Sequence, residues 1–216
     1  MRCFEDAGAE LDALKRRLAA EEADALRRGL FDQSGQSAHF KAGCVVWVMA
    51  ILEDLFRRLA EEVRAEVFAR CPAPDVLHPA LTMALSQAAW KSASEQERSA
   101  IVRRIELVST YVMGTDEWPE SFSFHDGKTV NDQSFAMVWK VLGLEGTAFG
   151  TPVQPTLLRD LAARRNRVAH GEQTVNDAGR ALTFGDLARK IDQVDELVAN
   201  MYIAVDDWLS RGGWRV

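Results

Sequence analysis

Seven consecutive residues, Arg164 to His170, read RRNRVAH and gather three guanidinium groups, one carboxamide and one imidazole. Such groups together suit cleavage of an RNA phosphodiester. The ribose 2′-hydroxyl attacks the neighbouring phosphorus once a base removes its proton. Histidine as a residue type titrates near neutrality, so it can take or return that proton. Arginine offers a planar fork to phosphate oxygens and stabilises the charge that grows on them. Asparagine holds an imidazole tautomer or donates to the same phosphate. Arg165, Asn166 and His170 are therefore the candidate reacting set. The chain has no HExxH, and His39, His78, His125 and His170 are widely dispersed. Neither a metal nor a cofactor is expected.

The stretch closes an amphipathic helical pattern over 155–170. Leu157, Leu158, Leu161, Ala162 and Val168 lie on one side, and Gly171 stands where a C-cap glycine belongs. Arg159, Arg164, Arg165 and Arg167 face one acid, Asp160, a local excess of three positive charges. Cations in a last turn suit the helix dipole by roughly 0.3–1 kcal/mol each, so a plain basic helix end accounts for part of this pattern. It does not account for the placement. Asn166 and His170 are four apart and share a face. Arg165 follows Leu158 by seven and Ala162 by three, on the border of the apolar stripe. Arg164 falls on the row of Leu157, Leu161 and Val168. An arginine in such a place is costly unless it meets an acceptor or a cavity.

The whole chain bounds what this end can do. It has 216 residues, 47% hydrophobic and 27% charged, which fits one globular domain with a sizeable core. The net charge is −6, so contact with a polyanion has to come from a local patch. Cys3, Cys44 and Cys71 form no CxxC pair, which supports neither a disulfide framework nor a zinc knuckle. Cys44, in an apolar helix, reads as inert core. MRCFEDAGAELD lacks a signal peptide's apolar core, and the run GCVVWVMAIL, 43–52, is half the length of a membrane span. A cytoplasmic protein with no membrane association is expected.

Almost every segment reads helical. Leu11, Leu14, Leu18 and Leu26 mark an exposed amphipathic helix over 4–30. DQSGQS, 32–37, is a turn. Next comes a pattern over 37–70, apolar all round at Cys44–Leu52 and amphipathic at Leu55, Leu59, Val63 and Val67, which Pro72 and Pro74 end. Its first half belongs at a bundle centre or a subunit interface. Helices are predicted at 79–90 and 94–112. GTDEWPESFSFHDGKTVNDQ, 114–133, has no helical period; its Trp118, Phe122, Phe124 and His125 read as loop anchors, or as a base-stacking loop. Trp208 and Trp214 pack on the bundle or on a second subunit. Helices at 134–142, 155–170 and 183–210 complete an all-α bundle. The division expected is a single domain over 1–216, with a helical extension at 1–35 and a core bundle at 36–210.

The string LAARRNRVAHGE, 161–172, resembles the R-x(4–6)-H motif of the HEPN superfamily. It is similar to the RNxxAHGE variant of the HEPN subfamilies named for their association with ribosomal L-PSP endoribonuclease. GCVVWVMAILEDLFRRLAEEV resembles that family's early helix, an apolar run leading to a glutamate, here Glu53. The helix ending VLGL, 141–144, precedes the motif as in those relatives, so the likeness covers about 37–206. It implies a HEPN-like bundle that dimerises and joins two motifs in one cleft. It also implies a metal-independent endoribonuclease of toxin–antitoxin or other defence systems, with an antitoxin or nucleotidyltransferase as possible partner. Arg165 and His170 would then be catalytic, Asn166 would support them, Glu53 would orient or neutralise the arginine, and Arg164 and Arg167 would contact RNA phosphates. Relatives regulated by AMP transfer carry a tyrosine two residues after the histidine, where this chain has Glu172, so that regulation is not expected. Two other readings stay open: a catalytically silent module that binds RNA or nucleotide, and a protein-interaction scaffold.

Overall fold

The long apolar pattern forms one long helix. The computed structural model describes residues 1–29, 35–70, 77, 78, 80–82, 101, 102, 105, 106, 109, 124 and 129–215. In it, α2 spans Gly35–Arg70. Cys44, Val45, Val48, Met49, Ile51 and Leu52 are buried, while Val46 stays 42% exposed. The apolar-all-round segment is thus covered on most sides, with one valine facing out. Leu55, Leu59, Val63 and Val67 are all buried, as their spacing requires.

The first helix, α1 (Arg2–Arg27), belongs to the same core as α2. Leu11 and Leu14 are fully buried and Leu18 nearly so. Helix α1 therefore lays its leucine stripe on the core and leaves its charged face to solvent, as an amphipathic pattern requires. Leu26 departs from expectation: it is 73% exposed, and Ala25 is buried in its place. Two helical turns on from Leu18 lead to Ala25, so Leu26 faces away from the stripe. Lys15 bonds Asp192 at 3.0 Å and Asp195 at 2.7 Å, fastening α1 to the last helix.

Short helices follow. The sequence pattern over 134–142 is α3 (Asp132–Leu142), opened by a capping box between Asn131 and Ser134 and closed by left-handed Gly143. Phe135 meets Phe56 of α2 edge to face, with ring centroids 4.9 Å apart. Helix α4 is Val153–Ala169. Its entry is fixed by buried Gln154, whose Oε1 accepts from the Gly150 and Thr151 amides at 2.8 and 3.3 Å. The sequence pattern does not mark α5 (Val175–Arg180), a single short turn capped by Thr174. It docks on α2 so closely that a Cβ on Gly179 would lie 1.7 Å from the Ala38 carbonyl oxygen. Helix α6 (Phe184–Arg211) buries Leu187, Ile191, Val194, Leu197, Val198, Met201 and Val205, the stripe read from the sequence. Trp208 and Trp214 are buried in the same bundle, edge to face at 6.0 Å.

The fold is all-α. Among the described residues there is no strand, and only an isolated antiparallel bridge joins Leu77 and Arg215. Most of the helices expected at 79–90 and 94–112 lie outside the described residues, as do most of the 114–133 loop and Cys71, Pro72, Pro74, Trp118, Phe122 and His125. Phe124 is described and buried, in keeping with an anchor. Among the described residues no helix is long and apolar enough to cross a membrane.

Burial pushes the Cys44 thiol up to about 12, and burial with the Glu62 carboxylate beside it pushes Cys3 up to about 12. The thiolate is the reactive form. Both cysteines are expected to resist alkylation by iodoacetamide at pH 8 in the native protein and to react once it is unfolded. Mass spectrometry of the native adduct checks this, and a label on either residue would contradict it.

Candidate active site

The motif helix ends as a glycine-capped helix should. Gly171 has φ 72°, the left-handed conformation that glycine adopts without a Cβ penalty. The Glu172 amide reaches the Arg167 carbonyl at 2.9 Å and the Gly171 amide reaches Val168 at 3.2 Å. These two bonds form a Schellman closure. His170 is the C-cap, its own amide bonded to the Asn166 carbonyl at 2.9 Å. Its backbone is thereby fixed. Its side chain is exposed, with no hydrogen-bond partner among the described residues.

One turn earlier lies a polar cluster. The Arg165 side chain is 30% exposed, intermediate as its border position predicts. Nη2 lies 3.4 Å from Oε1 and 3.5 Å from Oε2 of Glu53, on α2. Nη1 donates to Asn166 Oδ1 at 3.3 Å and to Thr129 Oγ1 at 3.4 Å. The Thr129 hydroxyl donates to Asn166 Oδ1 at 2.8 Å. Three segments distant in sequence thus converge: the middle of α2, the end of α4 and the strap before α3. The stems of Arg164 and Arg165 lie beside Val45, Val46, Ala178 and Leu182, an apolar lining from α2 and the α5 region.

The cationic groups are not equivalent. Arg164 Nε bonds both oxygens of Asp160, at 2.9 and 3.0 Å, and Lys190 reaches Asp160 at 2.8 Å. Arg164 is therefore tied to a carboxylate that it shares with Lys190, so the three groups together keep one positive charge. Asp160 and Arg164 stand four apart on one helix, so the sequence already carried the signal for this pair. Arg167 is exposed, with no ion pair among the described residues. Burial tends to raise the Asp160 pKa, but hydrogen bonds from Lys190 and Arg164 outweigh it and hold the carboxyl below its ordinary value. A depressed carboxylate contributes stability that is present above its unfolded pKa, about 4, and is lost as pH falls through the lower folded value. Wild type is expected to lose stability below about pH 4 more steeply than Asp160→Asn. Denaturant midpoints measured from pH 6 to 2.5 check this, and parallel curves would remove it.

Of the residues singled out by sequence, Arg165, Asn166 and Glu53 come together, and Arg164 turns aside to Asp160. No hydrogen bond joins Arg165 to His170 among the described residues. Five residues along an α-helix turn the side chain by roughly 140°, so the two groups leave α4 in different directions. Thr129 has no signal in the local pattern, because its partners lie on another element. The carbonyl pole of a helix repels anions, so a phosphate at this end would have to be held by side chains. Neither family models, nor curated proteins, nor solved structures match this chain.

Proposed function

We propose that the chain is a metal-independent endoribonuclease of the HEPN type, acting as a homodimer in a toxin or defence system. The observation that carries this reading is the arrangement of Arg165. A half-buried guanidinium is held in place by Glu53, Asn166 and Thr129 on the helix whose end carries His170, exposed and without a hydrogen-bond partner among the described residues. Within one chain the arginine and the imidazole diverge, so the cleft takes these groups from two copies related by a twofold axis. The imidazole of His170 accepts the ribose 2′-proton. The O2′–P bond forms, the P–O5′ bond breaks, and O5′ leaves with a proton from an imidazolium or water. The products are a 2′,3′-cyclic phosphate and a 5′-hydroxyl. Arg165 and Asn166 hold the phosphate oxygens as charge grows, and exposed Arg167 contacts a neighbouring phosphate.

Incubating purified wild type with total bacterial RNA in excess chelator tests this. Cleavage to fragments with cyclic phosphate ends is the expected result. RNA left whole at every protein concentration rejects it. The pairing of Arg164 with Asp160, and of Arg165 with Glu53, takes cations away from phosphate and favours a second reading, a protein-interaction scaffold. Its mark is a stable heteromeric complex with neither RNA binding nor cleavage.

A further inference from the structure

We infer that Thr129 is the positioning residue of the site, fixing the Asn166 carboxamide so that its NH₂ faces outward as a preset pair of donors for an oxyanion. The consequence for catalysis rests on the nuclease reading, but the geometry does not. A guanidinium only donates. The Asn166 atom that faces Arg165 at 3.3 Å must therefore be its oxygen. The Thr129 hydroxyl, 2.8 Å away, donates to the same oxygen and fills its second lone pair. Both acceptor positions of the amide are then occupied inside the protein. Nδ2 has no partner among the described residues.

Thr129 is well placed for this role. The next residue, Val130, is fully buried in the core. The one after, Asn131, caps α3, its Oδ1 accepting from the Gln133 amide at 2.9 Å and the Ser134 amide at 3.3 Å. The strap Thr129–Val130–Asn131 is thus anchored by a hydrophobic contact and a capping box directly beside the hydroxyl. Without that hydroxyl, Oδ1 keeps one donor and the amide is free to turn. The residue acts through Asn166 and Arg165 and touches no substrate itself.

The test uses the full chain with Thr129→Val, Thr129→Ser, Asn166→Ala and the Thr129→Val/Asn166→Ala double variant. The side-chain amide pair of Asn166 is assigned in a proton–nitrogen spectrum by its loss in Asn166→Ala. Thr129→Val is expected to shift that pair, and Thr129→Ser to leave it near its wild-type position. Cleavage in chelator is expected to fall about 10- to 100-fold in kcat for the valine variant, the scale of a misplaced catalytic group. The serine variant recovers most of it, and the double variant is no worse than Asn166→Ala alone. An amide pair indifferent to Thr129→Val overturns the inference, as does a valine effect that adds in full on the Asn166→Ala background. Wild type that leaves RNA intact while the amide pair still answers to Thr129→Val rejects the nuclease reading and supports the positioning of Asn166.

Discussion

Replacing His170 by alanine is expected to lower chelator-resistant RNA cleavage by about 10²- to 10⁴-fold, the range general acid–base catalysis supplies. The same change should leave the fold intact. The imidazole is exposed and makes no hydrogen bond among the described residues, and surface substitutions away from special contacts stay within about 0.5 kcal/mol. The Schellman closure that shapes this helix end is made by backbone groups of Arg167, Val168, Gly171 and Glu172, which alanine at 170 leaves in place. Activity and stability therefore separate at this residue. Initial cleavage rates and thermal unfolding of the same preparation measure both. Unchanged cleavage by His170→Ala would mean that any nuclease activity belongs to another site or to a contaminant.

Gly179→Ala is expected to give the opposite pattern, a large loss of stability from a change with no chemistry in it. Intrinsic propensity favours alanine in a helix by about 1 kcal/mol. Here packing overrides it. The added Cβ would sit 1.7 Å from the Ala38 oxygen and 2.4 Å from its carbonyl carbon. Both are backbone atoms of α2 and cannot swing aside as a side-chain tip could. Overpacking of this kind costs roughly 1–3 kcal/mol, sometimes more. For a chain of this size each kcal/mol lowers Tm by about 2–4 °C, so a fall of roughly 2–12 °C is expected. Gly8→Ala is the control: the new Cβ meets nothing within 4 Å in the second turn of α1, and the substitution should be neutral or slightly stabilising. Thermal scans of the two variants decide the matter, and a Gly179→Ala protein as stable as wild type would show that α5 is not seated as described.

The contrast between these residues also shows what periodicity conveys. Apolar residues repeating every three or four positions located α6, α4 and the second half of α2, because each of those helices buries one continuous stripe. The same rule misplaced Leu26, since a list of leucines is not a phase; the turn-by-turn advance from Leu18 selects Ala25. Helix α5 stayed hidden because so short an element completes no apolar repeat, and its packing is backbone on backbone. At the site, spacing alone placed Arg165 on the edge of the core and called for an acceptor or a cavity there. Spacing could not name that acceptor. Glu53 entered only through likeness to a family, and Thr129 not at all, since helical arithmetic relates residues on one element and these contacts join three. The Asp160–Arg164 pair is the converse case, a local contact four residues apart that redirects one of the arginines counted toward RNA.

The seating of α5 on α2 has a bearing on encounter. The return from the motif helix starts at a backbone-closed end and finishes at a peptide pressed against another peptide. Under the nuclease proposal, an RNA strand binding beside α5 would have to order only a few long side chains, at about 0.5–1.5 kcal/mol apiece, because the backbone there is already held at both ends.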